Sequence, residues 1–467
     1  MANKNLLTYG FSLEQVIQNY FAPSATIAGK NINNMYCFLS KVLPWTDDTN
    51  PEQPTQDQRY LKDVFKNMFV AKRITSNDVS GVVERINWVS GLTYDYYRDD
   101  IDMFELDDNG FLIKQFYIIN RYDQVFKCLW NNNGGTSTVE PMFQPGTYGT
   151  NNIYLGSDGY KWKFMFTVSG QSKSKFMDTE WIPVTISSNT TPNPIQTTAG
   201  YGDIEVINVV SGGSGYDSGN SSIVVTISGD GSGATANATV SGGAISQVYV
   251  STPGSNYTYA NVTITGTTAN GSILGSGVSL VSPVSPVGGH AFDAKSELGC
   301  RHFMITTEFN AKETYNSVNY IPTDIDFRQV GLLLNPTSVS SYPNSANGNI
   351  YNIATQFTVS SGFGSYVPDE EVYQYTSLID GLPDKTFTAT VLSFNPVTNI
   401  LQLINTSGTY TTSAQLYSGT SGTTRTLLSA STPNFYKFSG YIIYLENRSA
   451  VTRSTDGIEQ FKFVLGY

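Results

Sequence analysis

Asp158-Gly159-Tyr160-Lys161-Trp162-Lys163-Phe164-Met165-Phe166 joins a turn dipeptide to a strict alternation of side chains. Asp-Gly supplies the positive backbone angles that a tight turn needs. A strand of period two then places Tyr160, Trp162, Phe164 and Phe166 on one face and Lys161 and Lys163 on the other. The same texture, aromatic strands separated by Asx and Gly turns, runs through most of the chain. Its 467 residues hold 30 Tyr, 25 Phe and 42 Gly, and aromatic and β-branched side chains suit a pleated surface. The expectation is a mainly β scaffold with few helices.

A chain of this length exceeds what one hydrophobic core usually supports, so more than one domain is expected. Lys and Arg number 27 against 38 Asp and Glu, a net charge of −11. That balance repels phosphate backbones and anionic membranes, which argues against nucleic acid and membrane as partners. Cys37, Cys128 and Cys300 are odd in number and far apart, so ordinary buried thiols in a reducing compartment are expected. The segment from Met1 to Leu7 lacks an apolar run of signal-peptide length, and no run of about 18 apolar residues occurs. The expectation is a soluble protein made in the cytoplasm.

From Thr55 to Ile74, Leu61, Val64, Phe65, Met68 and Phe69 recur at three- and four-residue steps, which predicts an amphipathic helix. A shorter helix is expected from Ser12 to Tyr20, with Ser12 as N-cap and Pro23 near its end. From about residue 200 the texture turns to Gly, Ser, Thr, Ala and Val. Inside that stretch Ile204–Val210 aligns with Ile245–Ser251, and Tyr216 with Tyr257, at one offset of 41 positions. Two such units, each too small to bury its own face, are expected to pack together. A second module is expected from Glu370–Tyr375, Phe387–Phe394 and Ile400–Ile404, whose short, regularly spaced strands suggest a small barrel. The expected organisation is a discontinuous core of residues 1–200, 288–356 and 430–467, a Gly-rich β insert at 201–287 and a barrel insert at 357–429.

The sequence offers little catalytic chemistry. His290 and His302 do not have the HExxH spacing. Gly231-Ser232-Gly233-Ala234-Thr235-Ala236 mimics a dinucleotide fingerprint, but Asn237–Val240 after it reads as strand where that mechanism needs a helix N-terminus. The acidic run Asp99–Gly110 puts Glu105, Asp107, Asn109 and Gly110 near positions one, three, five and six of a calcium loop, yet Phe116 stands where the bidentate Glu belongs. A paired-carboxylate glycosidase site leaves no local signature among 38 acids. The expectation is no catalytic, cofactor or metal site.

Seven strings in order carry a resemblance: Pro44-Trp45, Val83–Trp88, Val125–Asn132, Asp158–Trp162, Phe327–Val330, Asn335-Pro336 and Tyr444–Arg448, with Glu459–Val464 at the chain end. Together they resemble the baseplate wedge subunit of T-even-like contractile-tailed phages, the gene product eight family, in the form carried by cyanobacterial myophages. The resemblance implies a layered β-sandwich with helix-bearing loops. It also implies a non-enzymatic virion protein, assembled in the host cytoplasm, that pairs as a homodimer and docks other baseplate wedge proteins. The two inserts depart from the shorter T-even form, and nothing in the resemblance assigns them a role. Trp88, Arg85, Trp162, Arg328, Glu446 and Arg448 are the interface or core candidates. Arg328 and Arg448 suit bidentate pairs with carboxylates inside the fold. Two other readings remain: a carbohydrate-binding adhesin that presents Tyr216, Tyr249, Tyr257 and Tyr259 from the Gly-rich insert, and a tail-borne polysaccharide hydrolase. Excision of residues 203–280 is expected to leave the core folded.

Overall fold

Asp158-Gly159 makes the expected turn, with Gly159 at φ 85°, and Tyr160–Thr167 leaves it as a strand. This strand belongs to a computed structural model that describes residues 11–466 apart from 12, 17, 19–25, 28–29, 32–33, 42, 146–151, 185–198, 217–220, 269–272, 311–320, 340–345 and 347. The protein is mainly β. Its chain divides into two units with interleaved segments: Met1–Ile17, Ser80–Met304 and Val464–Tyr467 in the first, Gln18–Val79 and Ile305–Phe463 in the second.

In the first unit, Tyr117–Ile119, Gln124–Asn131, Tyr160–Thr167 and Ile153–Leu155 lie side by side in that order, all antiparallel. Trp162 is fully buried between Tyr94, edge-on at 5.6 Å, and Tyr160, stacked at 5.4 Å. Trp181–Val184 pairs with residues 81–84, and Val82, Phe176, Trp181 and Met304 form a satellite cluster there.

The Gly-rich stretch folds as two copies facing each other. Repeat-equivalent residues meet antiparallel at two places, Val224 opposite Thr265 and Ile207 opposite Val248. Their backbone bonds repeat as well: Tyr216 N–H donates to Gly243 O, and Tyr257 N–H to Gly202 O. The shared core is built from the repeat pairs Ile204 and Ile245, Ile207 and Val248, and Tyr216 and Tyr257. Each copy supplies half of the apolar area needed to hold the pair together.

In the second unit the order is Ile350–Asn352, Met68–Ile74, Met35–Ser40, Asp326–Leu334 and Tyr441–Thr452. The helix expected over 55–74 is shorter. Asp57 caps it by accepting from Tyr60 N–H at 2.8 Å, and it runs from Gln58 to Asn67. Met68–Ile74 is a strand paired to Met35–Ser40, with Met68, Phe69, Val70 and Ala71 all buried and Phe69 at an irregularity of the register. A run of four consecutive apolar residues satisfies a helix and a two-sided strand equally, and the neighbouring strand settled the choice. Residues 13–16 are helical, while Ser12, Tyr20 and Pro23, which mark the ends of the other expected helix, lie outside the described residues.

Six strands of the second unit close into a barrel: Thr355–Val359, Ile400–Gly408, Leu382–Asn395, Glu371–Ile379, Gln415–Ser418 and Thr424–Ser431. Phe357, Val372, Val391, Leu401, Leu416 and Leu427 fill it, and closure removes the open edges a short sheet would expose.

Gly331 sits mid-strand where a Cβ would meet Phe38 Cζ at 2.5 Å and Tyr444 O at 2.6 Å. Gly331→Ala is therefore expected to destabilise the second unit by about 1–3 kcal/mol through overpacking, measurable as a fall in the denaturant midpoint.

Candidate functional site

The lysines of the opening strand are not on a wet face. Lys127 and Lys163 stand directly opposite each other on adjacent strands, at 0% and 1% exposure. Like charges so placed repel, and each ammonium has lost its water. Each therefore has its own carboxylate. Lys127 Nζ donates to Glu297 Oε2 at 2.9 Å, and Lys163 Nζ reaches both oxygens of Glu205 at 2.8 and 2.9 Å. Glu205 and Glu297 are themselves 6% and 5% exposed. Lys161, the next lysine along, donates to Ile207 O at 2.8 Å and Asn208 Oδ1 at 3.0 Å, while Asn208 Nδ2 donates to Leu129 O. Among the described residues only neutral acceptors hold Lys161, and burial pulls its ammonium down to about 8.

His290 completes the layer. Its Nδ1 lies 3.2 Å from Lys127 Nζ and accepts from that ammonium, and its ring meets Tyr97 edge-on at 5.0 Å. Tyr97 also covers Lys127 Nζ, 4.0 Å from the ring centroid. Burial, reinforced by the Lys127 charge, depresses His290 to about 3. Burial alone would raise Glu297, but the Lys127 ammonium outweighs it and holds the carboxyl at about 2. Burial raises Glu205 against the pull of Lys163.

These shifts make the first unit acid-sensitive. His290 stays neutral and Glu297 ionised when folded, whereas the unfolded chain takes up protons below about 6.5 and 4.5. The stability that these two groups contribute is therefore fully present above about pH 6.5 and falls as pH drops toward 3. Removing the imidazole by His290→Gln is expected to abolish about 2 kcal/mol of the loss between pH 7 and pH 5, read from urea unfolding at stepped pH.

Five of the seven strings of the sequence supply side chains at two further places. In the first unit, Trp88 Nε1 donates to Ser137 Oγ at 3.0 Å, and Ser137 Oγ donates to Asp158 Oδ2 at 3.3 Å. Asp158 Oδ2 also accepts from Thr138 and Val139 N–H. Arg85 donates to Asp178 O and Asn87 Oδ1. In the second unit, Arg328 holds Asp48 through two bonds at 3.2 and 3.0 Å, and Trp45 N–H donates to the same carboxylate. Trp45 Nε1 donates to Arg448 O, and Arg448 pairs with Glu446 at 2.7 Å and lies over Phe461. Gln329 donates to Tyr60 and Asn447 beside them. Arg85, Trp88 and Trp162 thus lie in the first unit and Arg328, Glu446 and Arg448 in the second. Sequence reasoning did not single out Lys127, Glu205 or Glu297, because partners 170 and 42 positions apart carry no local signal.

A pocket of about 20 Å³ in the first unit is lined by Glu84, Phe111, Trp181, Arg301 and His302. It has room for one water. Glu84 Oε2 is buried there without a hydrogen-bond partner, and burial raises its carboxyl. The His302 ring lies tilted against Trp181 with centroids 4.6 Å apart, and burial followed by the Arg301 charge lowers it. Among the described residues no cluster of three or more His, Cys, Asp or Glu is arranged to hold a metal, and no helix is long and apolar enough to cross a membrane. No protein-family model matches the chain, and no curated protein matches it either.

Proposed function

We propose that this chain is a structural virion protein, a baseplate wedge component of a contractile phage tail that forms a homodimer, docks neighbouring wedge proteins and works without turning over a substrate. The observation that carries the reading is where its charges go. The strongest ionisable cluster, Lys127, Lys163, Glu205, His290 and Glu297, is sealed from solvent and self-neutralised. Groups buried this way order layers of a scaffold and do not meet a reagent. Five of the strings behind the resemblance lend further support, because they spend polar atoms locking strands and loops together at two hubs.

Docking at constant shape needs rigid faces of roughly 1,600 Å² or more, and locked hubs supply rigidity. Transmission of motion on contraction then comes from exchanging neighbours. The adhesin reading keeps Tyr249 and Tyr259 as exposed rings, but Tyr216 and Tyr257 are 4% exposed and form the core between the two repeats, so half of its proposed surface is unavailable.

Mass spectrometry of purified infectious particles tests the assignment: the chain is expected at fixed stoichiometry in the tail, and its absence would sink the reading. Native mass measurement at micromolar concentration is expected to give a dimer, and glycan arrays are expected to stay blank.

A further inference from the structure

Two strands of the barrel extend into a hairpin whose tip is exposed. Glu371–Ile379 and Leu382–Asn395 are joined by a two-residue turn, Asp380 at φ 52° and Gly381 at φ 79°, the left-handed pair that suits a twisted ribbon. At its end Leu378, Ile379 and Leu382 are 60%, 59% and 70% exposed. Register places Ile379 opposite Leu382 and Leu378 opposite Pro383. Directly opposed residues share a face and adjacent ones do not, so one face of the tip shows Ile379 and Leu382 and the other shows Leu378 and Pro383. An arm apolar on both faces has no side reserved for its own barrel. Such a cluster within five residues differs from the single exposed apolar residues every surface carries.

Charge selects the occupant. Asp380 stands at the apex, and among the described residues its carboxylate has no hydrogen bond or ion pair. Asp384 follows, accepting from Ser377 Oγ at 3.3 Å. The residue after it, Lys385, is committed to Glu371 at 2.7 Å and to the Tyr373 ring at 4.6 Å. A bilayer would have to take the apical carboxylate into its interior, which is costly. A second copy docked tip to tip would set one apical carboxylate against another.

We propose that the tip at residues 378–383 is a plug for an apolar socket on a different protein of the same particle, with a Lys or Arg in that socket facing Asp380. The proposal rests on the chain being an assembly subunit, as argued above, and adds which surface it uses and what receives it.

The test places a photo-crosslinking amino acid at 379 or 382 in chains incorporated into particles, with position 397 on the exposed Val397 as control. Cross-linking from 379 and 382 to one protein, at apolar residues beside a Lys or Arg, is expected. The purified cross-linked protein should bind Ile379→Ser/Leu382→Ser at least 100-fold more weakly than wild type and Asp380→Lys at least tenfold more weakly. The altered side chains are exposed, so an unchanged melt confirms that these variants are folded. Silent positions 379 and 382 in particles that contain the chain overturn the proposal alone, whereas particles lacking the chain overturn the assembly reading. Flotation of wild type with phosphatidylcholine or phosphatidylglycerol vesicles that Ile379→Ser/Leu382→Ser abolishes would make the tip a membrane device. Dimers lost in that same variant would make it a self-contact, and either result rejects the socket.

Discussion

Glu205→Ala is expected to destabilise the first unit by about 3–5 kcal/mol, because the substitution removes one partner of a buried ion pair and leaves the other charged. The orphan is Lys163, 1% exposed, whose strand neighbour is a second buried lysine, Lys127. A loss of that size is a large share of a domain's usual stability of about 5–15 kcal/mol. The companion variant Lys163→Met/Glu205→Leu removes both charges and keeps similar volume. It is expected to lie within about 2 kcal/mol of wild type, or above it, since apolar replacements of buried pairs are often neutral or stabilising. Urea unfolding of the single and double variants measures both. A single variant that melts like wild type would mean that water reaches Lys163, and the sealed-layer account would be wrong.

The larger change is excision of residues 203–280. Sequence texture alone led to the expectation that the rest of the chain tolerates this cut. The structure leads to the opposite expectation, loss of the cooperative melt of the first unit. The cut removes Glu205 and Asn208 together, so Lys163 loses its carboxylate, Lys161 loses its acceptors and Leu129 O loses its donor. Lys163 is then left beside Lys127 without its counter-charge, and Lys161 without its hydrogen-bond acceptors. Segment 203–208 is shared between layers: Glu205 and Asn208 turn toward the lysines, while Ile204 and Ile207 turn into the core of the repeats.

Asn208 and Val281 pair directly, as do Val209 and Leu280. Replacing 210–279 by an Asn-Gly turn therefore joins strands already side by side. That shorter excision is expected to keep a cooperative melt, at a lower midpoint because Ile204, Ile207 and Val284 lose their cover. Calorimetry of the two deletions separates the expectations; equal behaviour would show that the linker residues carry no weight.

Several elements were legible from residues alone because their causes are local. Asp158-Gly159 required a turn and Tyr160–Thr167 a strand, and the 41-residue offset named the pairs that meet in the repeat core. The helix after Asp57 was legible up to Asn67. Beyond it, Met68–Ala71 is ambiguous by composition, and only the hydrogen bonds offered by Met35–Ser40 made it a strand. The histidines illustrate the same boundary: nothing near His290 in sequence announces Lys127 or Glu297.

By itself the sequence determined that alternation puts Lys161 and Lys163 on one face and the aromatic rings on the other, since side-chain direction along a strand follows from backbone geometry one residue at a time. Whether that lysine face met water or carboxylates was decided only by tertiary structure. The covering residues arrive from 42 and 170 positions away, and ion pairing acts through distance in space, which no local pattern encodes.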